Sequence, residues 1–282
     1  MLVPIDQRSN TVREAYRPER RNVWPQQVVW LPDGAARTYG ALGEGLRDAF
    51  GHEPPARSAA LLVHPQAPAA HRRLAATYGC TTLPGVWATP TASYRSVLAW
   101  REGRPAVVLK LSLGAVVGRI RRALKEPQVA RGVIMSRVFE TIPLEARERL
   151  GFDWFPEPAG AVDAVSGRGW LLRRLPAALD GQGRRSLLPH FSLISARDGR
   201  PPLLVDLIRA SALGPEDYVL ENLVRPYVEV LSYLLFEEGI QLEGHSQNVL
   251  LEIDEHDRPT GRLVFRDLSD ATVSIPMRLA RG

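Results

Sequence analysis

The sequence is short of cysteine and of lysine. Its single cysteine, Cys80, excludes an internal disulfide and matches a reducing compartment, where a lone thiol reads as a small buried hydrophobe rather than a nucleophile. Only two of the 36 basic residues are lysines, Lys110 and Lys125; the others are arginines. No uninterrupted apolar run approaches the roughly 20 residues that span a bilayer. The first residues, Met1 to Arg21, contain no apolar stretch of signal-peptide type. The expectation is therefore a cytoplasmic chain with no membrane partner. A basic arm and any interleaving of basic and aromatic residues are also missing, so the net charge of +5 does not indicate a nucleic-acid partner. Arginines spread along the chain suit small anions, phosphates and carboxylates.

What is present is an ordinary globular composition, 45% hydrophobic and 24% charged over 282 residues, long enough for a full core. Residues 1–25 are polar and arginine-rich, an arm or docking segment. Gln27–Leu31 has strand character and runs into a turn at Asp33-Gly34, Tyr39–Phe50 has helical spacing, and His52–Pro55 is a linker signal. Ala59–Val63, Ala106–Leu113, Gly169–Leu172 and Leu187–Ile194 are expected strands, Gly114–Lys125 a helix, and 156–168 and 181–186 loops. A long helix is expected from Pro215 to Glu238. Leu220, Leu223, Val224, Tyr227, Val228, Leu231, Leu234 and Leu235 form its apolar face, Pro226 kinks or breaks it, and Gly239 stops it. Asn248–Ile253 and Gly261–Arg266, joined by the charged turn Asp254–Thr260, are a β-hairpin. This order of elements predicts an α+β fold, an antiparallel sheet flanked by helices.

The chemistry concentrates after the long helix, in Glu243-Gly244-His245-Ser246-Gln247-Asn248. The hairpin that follows returns Asp267 close to Asn248. Carboxylate and amide oxygens suit Mg²⁺, while His245 and Gln247 can donate to phosphate. The same residues could instead cap the helix and close the hairpin, although a cap needs only one or two polar groups. Thr91, Ser93 and Arg95, in the run Thr89-Pro90-Thr91-Ala92-Ser93-Tyr94-Arg95, could line a phosphate cradle, or form a hydroxyl-rich turn followed by a surface arginine. Lys110 lies inside an apolar run, where an ammonium is costly unless it snorkels or meets an anion; in a strand it shares a face with Val108 and Ser112. One of Arg119, Arg121 and Arg122 on the expected helix could complete the anion site, with Arg173-Arg174 a further candidate. His64 and His71 could be metal ligands, but no third ligand lies close in sequence, and a structural role is the alternative.

Taken in order, these segments resemble the NRPS-independent siderophore (NIS) synthetases of the aerobactin-synthetase (IucA/IucC) type. The resemblance rests on His64-Pro65, Pro90-Thr91-Ala92-Ser93-Tyr94-Arg95, Lys110-Leu111-Ser112-Leu113, Arg122, Gly239 through Asn248, and Arg266-Asp267. It implies the palm/fingers core of that family, with an N-terminal arm and small α/β segment over 1–58 and the nucleotide-binding core over 59–282. It further implies ATP and Mg²⁺ as cofactors and adenylation of a small carboxylic acid, citrate or a relative. An amine or alcohol then attacks the adenylate. Carried over residue by residue, Thr91, Ser93 and Arg95 contact the triphosphate, and Lys110 and Arg122 add positive charge. His245, Gln247, Asn248 and Asp267 hold nucleotide and metal, supported by Glu243. Lys110, Arg95 and His245 would be the catalytic groups. The chain departs from the family in its length, about half, in Gly118-Arg119 where Thr and a small residue are usual, and in HPQ for HPWQ.

Two other readings belong to different classes. A non-catalytic or accessory protein would keep the scaffold and need a partner chain that supplies the missing N-terminal region; by analogy with the family, the expected partner is that chain or a second copy in a homodimer. A kinase-like phosphotransferase would use the His-x-x-Asn loop and the later Asp, but Gln247 stands where a catalytic carboxylate is needed, and no glycine-rich phosphate loop is visible.

Overall fold

The computed structural model describes residues 11–117, 119–176, 185–195, 199–256 and 258–280. The first ten residues of the expected arm, Gly118, residues 181–184 of the expected loop and Asp257 of the expected turn lie outside the described residues. In chain order the strands begin with β1 (Trp24–Pro32), β2 (Ala36–Gly40), β3 (Ser58–Val63), β4 (Thr81–Pro90), β5 (Ser96–Arg101), β6 (Val107–Leu111), β7 (Val116–Val117) and β8 (Ile120–Arg121). They continue with β9 (Phe152–Trp154), β10 (Ala159–Asp163), β11 (Gly169–Arg174), β12 (Ser186–Pro189), β13 (Ile240–Gln241), β14 (Val249–Ile253), β15 (Pro259–Phe265) and β16 (Thr272–Val273). The helices include α1 (Leu42–Phe50), α2 (Ala69–Tyr78), α3 (Glu126–Glu140) and α4 (Leu144–Leu150). The structure is α+β, with mainly antiparallel sheets and helices, as the sequence indicates. None of the helices among the described residues is long and apolar enough to cross a membrane.

The chain forms two compact units. One comprises the described parts of Ile5–Arg137 and Pro156–Leu175, the other those of Val138–Phe155 and Pro176–Gly282. The first is built on an eight-stranded antiparallel sheet in the order β2-β10-β11-β6-β5-β4-β1-β3. Side chains alternate across it. On one face Ala88, Val97, Ala99, Leu109, Leu111, Trp170 and Leu172 bury against Leu46 and Phe50 of α1. Each large apolar side chain contributes about 1.5–3 kcal/mol by leaving water. The Trp170 Nε1–H donates to the Ala60 carbonyl of edge strand β3 at 2.8 Å, so the sheet curls around this core. On the other face lie Ser96, Leu98, Val108, Lys110, Leu171 and Arg173, and Val129 and Val133 of α3 pack on Leu171. β1 pairs with β3 from Gln27↔Val63 to Pro32↔Ser58, so this sheet draws strands from both sides of residue 58.

Three local expectations fail here. Residues 156–168, expected as a loop, carry the fully buried strand β10 between β2 and β11. Its residues are small, because Gly160 admits no Cβ beside Trp170, and small residues leave little hydrophobic signal. Gly114–Lys125, expected as a helix, instead contains β7 and β8, with Val116↔Arg121 and Val117↔Ile120 paired. Leu113, Ala115 and Val117 bury together with Val12 at a period of two residues, not 3.6, and the helix starts only at Glu126. Arg119, Arg121 and Arg122 are therefore not on a helix. Cys80, expected to be buried, is exposed.

The second unit holds a four-stranded sheet, β12-β14-β15-β9. The expected hairpin is present as β14 and β15, with Val249↔Phe265 in register, and β9 adds in parallel. The expected strand Leu187–Ile194 ends at Pro189 and becomes a helical turn, His190–Leu193, because proline cannot carry a ladder onward. The long helix runs without a break. Pro226 follows a π-helical stretch, Leu220–Val224, closed by Arg225 N–H to Leu220 O, and a second stretch spans Tyr233–Glu237. Wider turns rotate later residues off the 3.6-residue stripe. Tyr218, Val230 and Leu234 are buried, whereas Leu220, Val224, Val228 and Leu235 of the expected apolar face are exposed. The helical run ends before Gly239, whose φ of +64° suits glycine.

Candidate functional site

In the first unit, the β4–β5 turn carries Thr91, Ser93 and Arg95. The Thr91 N–H and Oγ1–H both donate to the Ser96 carbonyl, at 3.0 and 2.8 Å, and the Ser93 N–H donates to Thr91 Oγ1 at 3.3 Å. This closed turn abuts β6. The Leu111 N–H donates to the Arg95 carbonyl at 2.8 Å, and Ser96 stands opposite Lys110 in the ladder. Lys110 is 2% exposed, flanked on its own face by Val108 and Ser112 as expected. Ser112 Oγ–H donates to the Gly169 carbonyl and accepts the Leu124 N–H, which pins the chain beyond β6. Arg122 sits at the exit of the β7–β8 hairpin, bonded through its backbone to Ala115 and Leu113, each at 3.1 Å. Four of the five expected anion residues thus share one turn and the adjoining strand.

In the second unit, Glu243–Asn248 follows the long helix as a tight loop. The Asn248 N–H donates to the His245 carbonyl at 2.8 Å, and the Gln247 N–H to His245 Nδ1 at 3.1 Å. His245 Nε2 lies 3.9 Å from the Glu243 carboxylate, both side chains half-exposed. The Arg266 N–H donates to the Asn248 carbonyl at 3.0 Å, which brings Asp267 beside the 4%-exposed Asn248, as the hairpin argument requires. Asp267 has φ +65°, a left-handed conformation uncommon outside glycine and one found at functional sites.

Sequence reasoning missed the groups that anchor this loop. The Tyr227 hydroxyl donates to the Gly244 carbonyl, and a Cβ at Gly244 would come 2.6 Å from that hydroxyl, so a larger residue there would have to displace it. The Phe191 N–H donates to the Ser246 carbonyl at 3.1 Å, and the neighbouring His190, its pKa lowered by burial, lies against the Tyr227 ring. Tyr227 is recognisable in the sequence only as one member of an apolar stripe. Nothing in local spacing marks His190.

His64 and His71 have structural surroundings. His64 is fully buried between Tyr16 and Trp24, and its Nδ1 accepts the Gln66 N–H at 2.9 Å. His71 Nε2 is 3.4 Å from Asp163 Oδ2. Burial alone would raise the Asp163 pKa, but hydrogen bonds from His71 and Ser166 outweigh it and hold the carboxyl at about 2. Among the described residues no cluster of three or more His, Cys, Asp and Glu could hold a metal.

Burial pushes the His64 imidazole down to about 4. The unfolded chain therefore takes up a proton near pH 6.5 that the folded chain refuses until about pH 4, so stability falls as pH drops through that window, by up to ~1.4 kcal/mol per pH unit. Urea midpoints from pH 7 to 4 should decline steeply in the native chain and less steeply in His64→Phe. Equal slopes would show that another group carries the dependence.

The model of the IucA / IucC family matches residues 13–193, well over half of the chain. The chain belongs to the IucA/IucC family. The family fold is confirmed by solved structures of low identity. The petrobactin biosynthesis protein AsbB from Bacillus anthracis str. Sterne superposes with a TM-score of 0.75 at 17% identity, over 93% of this chain and 49% of its own. ATP-bound aerobactin synthetase IucA from a hypervirulent pathotype of Klebsiella pneumoniae gives 0.70 at 19%, over 95% and 53%. Aerobactin synthetase IucC from the same pathotype gives 0.70 at 20%, over 92% and 51%. Comparison with curated protein sequences gives no match. This IucA/IucC-family chain spans about half the length of the solved relatives it matches.

Proposed function

We propose that this chain binds Mg-ATP and activates a carboxylic acid as its acyl adenylate for attack by an amine or alcohol, in the biosynthesis of a siderophore or related product. The observation that carries the reading is Lys110, an ammonium buried in the middle of a sheet beside a turn of hydroxyls and Arg95. A turn of hydroxyls and an arginine packed against the strand of that lysine gathers donors and positive charge of the kind that bind a triphosphate. Family membership supports the reading, as does the fold shared with an ATP-bound relative.

In this scheme Thr91, Ser93 and Arg95 bind the triphosphate, and Lys110 and Arg122 neutralise charge at the α-phosphate and on the departing pyrophosphate. A carboxylate oxygen bonds to the α-phosphorus as the bond to the pyrophosphate oxygen breaks. The amine or alcohol then bonds to the acyl carbon, loses its proton, and AMP leaves. In the second unit, taken by itself, His245 and Gln247 are donors suited to phosphate oxygens, and Glu243 orients His245. Asn248 and Asp267 fit a magnesium ion held largely by phosphate and water, which needs only one or two protein oxygens. When bound, that ion adds charge neutralisation.

The test is calorimetric titration of the chain with Mg-ATP, repeated on Lys110→Met, which keeps the apolar stem. Micromolar binding is expected, about −8 kcal/mol, and weakening by about 10–100-fold in the variant, the range of a charged hydrogen bond. Turnover with a carboxylate pool should release AMP and pyrophosphate. Accumulation of ADP, or wild-type affinity in Lys110→Met, would remove the reading.

A further inference from the structure

The residues assigned to the triphosphate lie on a turn and a two-residue hairpin, elements too short to hold their own geometry. A third segment, residues 11–16, crosses both. The Thr11 N–H donates to the Val116 carbonyl at 3.0 Å, and Thr11 Oγ1 accepts the Val116 N–H at 2.9 Å, so Thr11 adds to β7 like a further strand. Val12 is buried with Leu113, Ala115 and Val117, and Tyr94, inside the Thr91–Arg95 turn, packs on the same cluster together with Tyr16. One residue clasps this segment. Gln66 donates from Nε2 to the Thr11 carbonyl at 2.8 Å and accepts the Arg13 N–H on Oε1 at 2.9 Å. Its carbonyl accepts the Gly114 N–H at 2.7 Å, and its own N–H is held by His64 at 2.9 Å. Glycine is needed at 114, where a Cβ would come 2.4 Å from the Ala67 carbonyl.

We propose that Gln66 is a positioning residue of the anion site: by clasping residues 11–13 across β7 it fixes both the Thr91–Arg95 turn, through Tyr94, and Arg122, through the hairpin. This rests on the nucleotide reading of those residues, but the mechanical half of it does not. Gln66 touches no assigned anion ligand with its side chain; it acts through Thr11, Val12 and Arg13. Two side-chain hydrogen bonds to backbone hold the segment, which corresponds to about tenfold in the equilibrium between clasped and released forms.

The experiment uses the full chain in Gln66→Ala and Val12→Ser, with hydrogen exchange read first without nucleotide. In both variants, amides of Thr91–Ser96 and Leu113–Arg122 should exchange about tenfold faster, while those of β1, β6 and β11 keep their protection. Mg-ATP affinity should then fall about tenfold at an unchanged global unfolding midpoint. Gln66→Glu keeps the acceptor for Arg13 and loses the donor to Thr11, and should lie between. Wild-type exchange in both segments would overturn the proposal, as would loss of protection across the whole sheet, which would make Gln66 a mere support of the fold. If the native chain fails to bind Mg-ATP, the nucleotide reading falls, while the exchange result still decides whether the clasp exists.

Discussion

Arg173→Leu should destabilise the chain by about 3–5 kcal/mol, the usual cost of stripping a buried ion of its partner. Arg173 and Glu157 are both almost fully buried, and Nε donates to Oε1 at 2.7 Å. The second carboxylate oxygen, Oε2, is buried with no hydrogen-bond partner among the described residues. It lies where a Cβ at position 132 would come within 2.2 Å, so Gly132 in α3 exists to leave it room. Removing the guanidinium therefore leaves an uncompensated charge in a tightly packed place. The pair itself need not be strongly stabilising, since its mutual attraction is offset by the desolvation of both groups. The double variant Arg173→Leu with Glu157→Gln should accordingly recover most of the loss. Urea unfolding of the three chains decides it. A single variant within about 1 kcal/mol of native would show that solvent reaches the carboxylate and that the site is less dry than drawn.

The second large effect is steric. A Cβ at Gly169 would stand 1.9 Å from the Ala161 carbonyl and 2.7 Å from Val162 Cγ1. Both belong to β10, paired with β11 through Val162↔Gly169, so the obstacle is largely main chain and cannot swing aside. Gly169 also receives Ser112 Oγ–H on its carbonyl and gives its N–H to Leu124, bonds that fix the chain just after Lys110. Gly169→Ala is expected to cost more than about 4 kcal/mol, in the range reserved for a few mechanisms such as overpacking. The comparison variant is Gly34→Ala, at a turn with φ +81° and open space around it, where only backbone strain of about 1 kcal/mol applies. Melting temperatures for the two should differ widely. Similar values would mean that β10 and β11 can part slightly without loss.

Elements that announce themselves in the sequence are those whose burial pattern is complete within a short window. Val249–Ile253 and Gly261–Phe265 are apolar runs around a charged turn, and they fold as that hairpin. Val107–Leu111 is a central strand buried along its whole length, and Lys110 stands out because it is the one charge in such a run. β10 was hidden because close sheet packing selects small residues there, and α3 because Pro127 and Gly132 interrupt its signal. The hairpin β7–β8 reads as a helix in the sequence because short apolar steps fit both periods until Val12 arrives from a distant part of the chain. The same limit holds for the candidate site. Residue types such as Lys110, His245 and Asp267 carry their chemistry openly, whereas Gln66, Tyr227 and His190 act through contacts with remote backbone that have no spacing signature.

The scarcity of lysine has a practical consequence. Lys125 lies at the surface and Lys110 inside the sheet, fifteen positions apart in one stretch of chain. A brief pulse of an amine-acylating reagent will mark the exposed Lys125 readily and the 2%-exposed Lys110 far more slowly. The ratio of label at the two positions, weighed in a single peptide map, makes the chain its own footprinting gauge, with an internal reference for reagent strength and a second channel that brightens as the sheet opens.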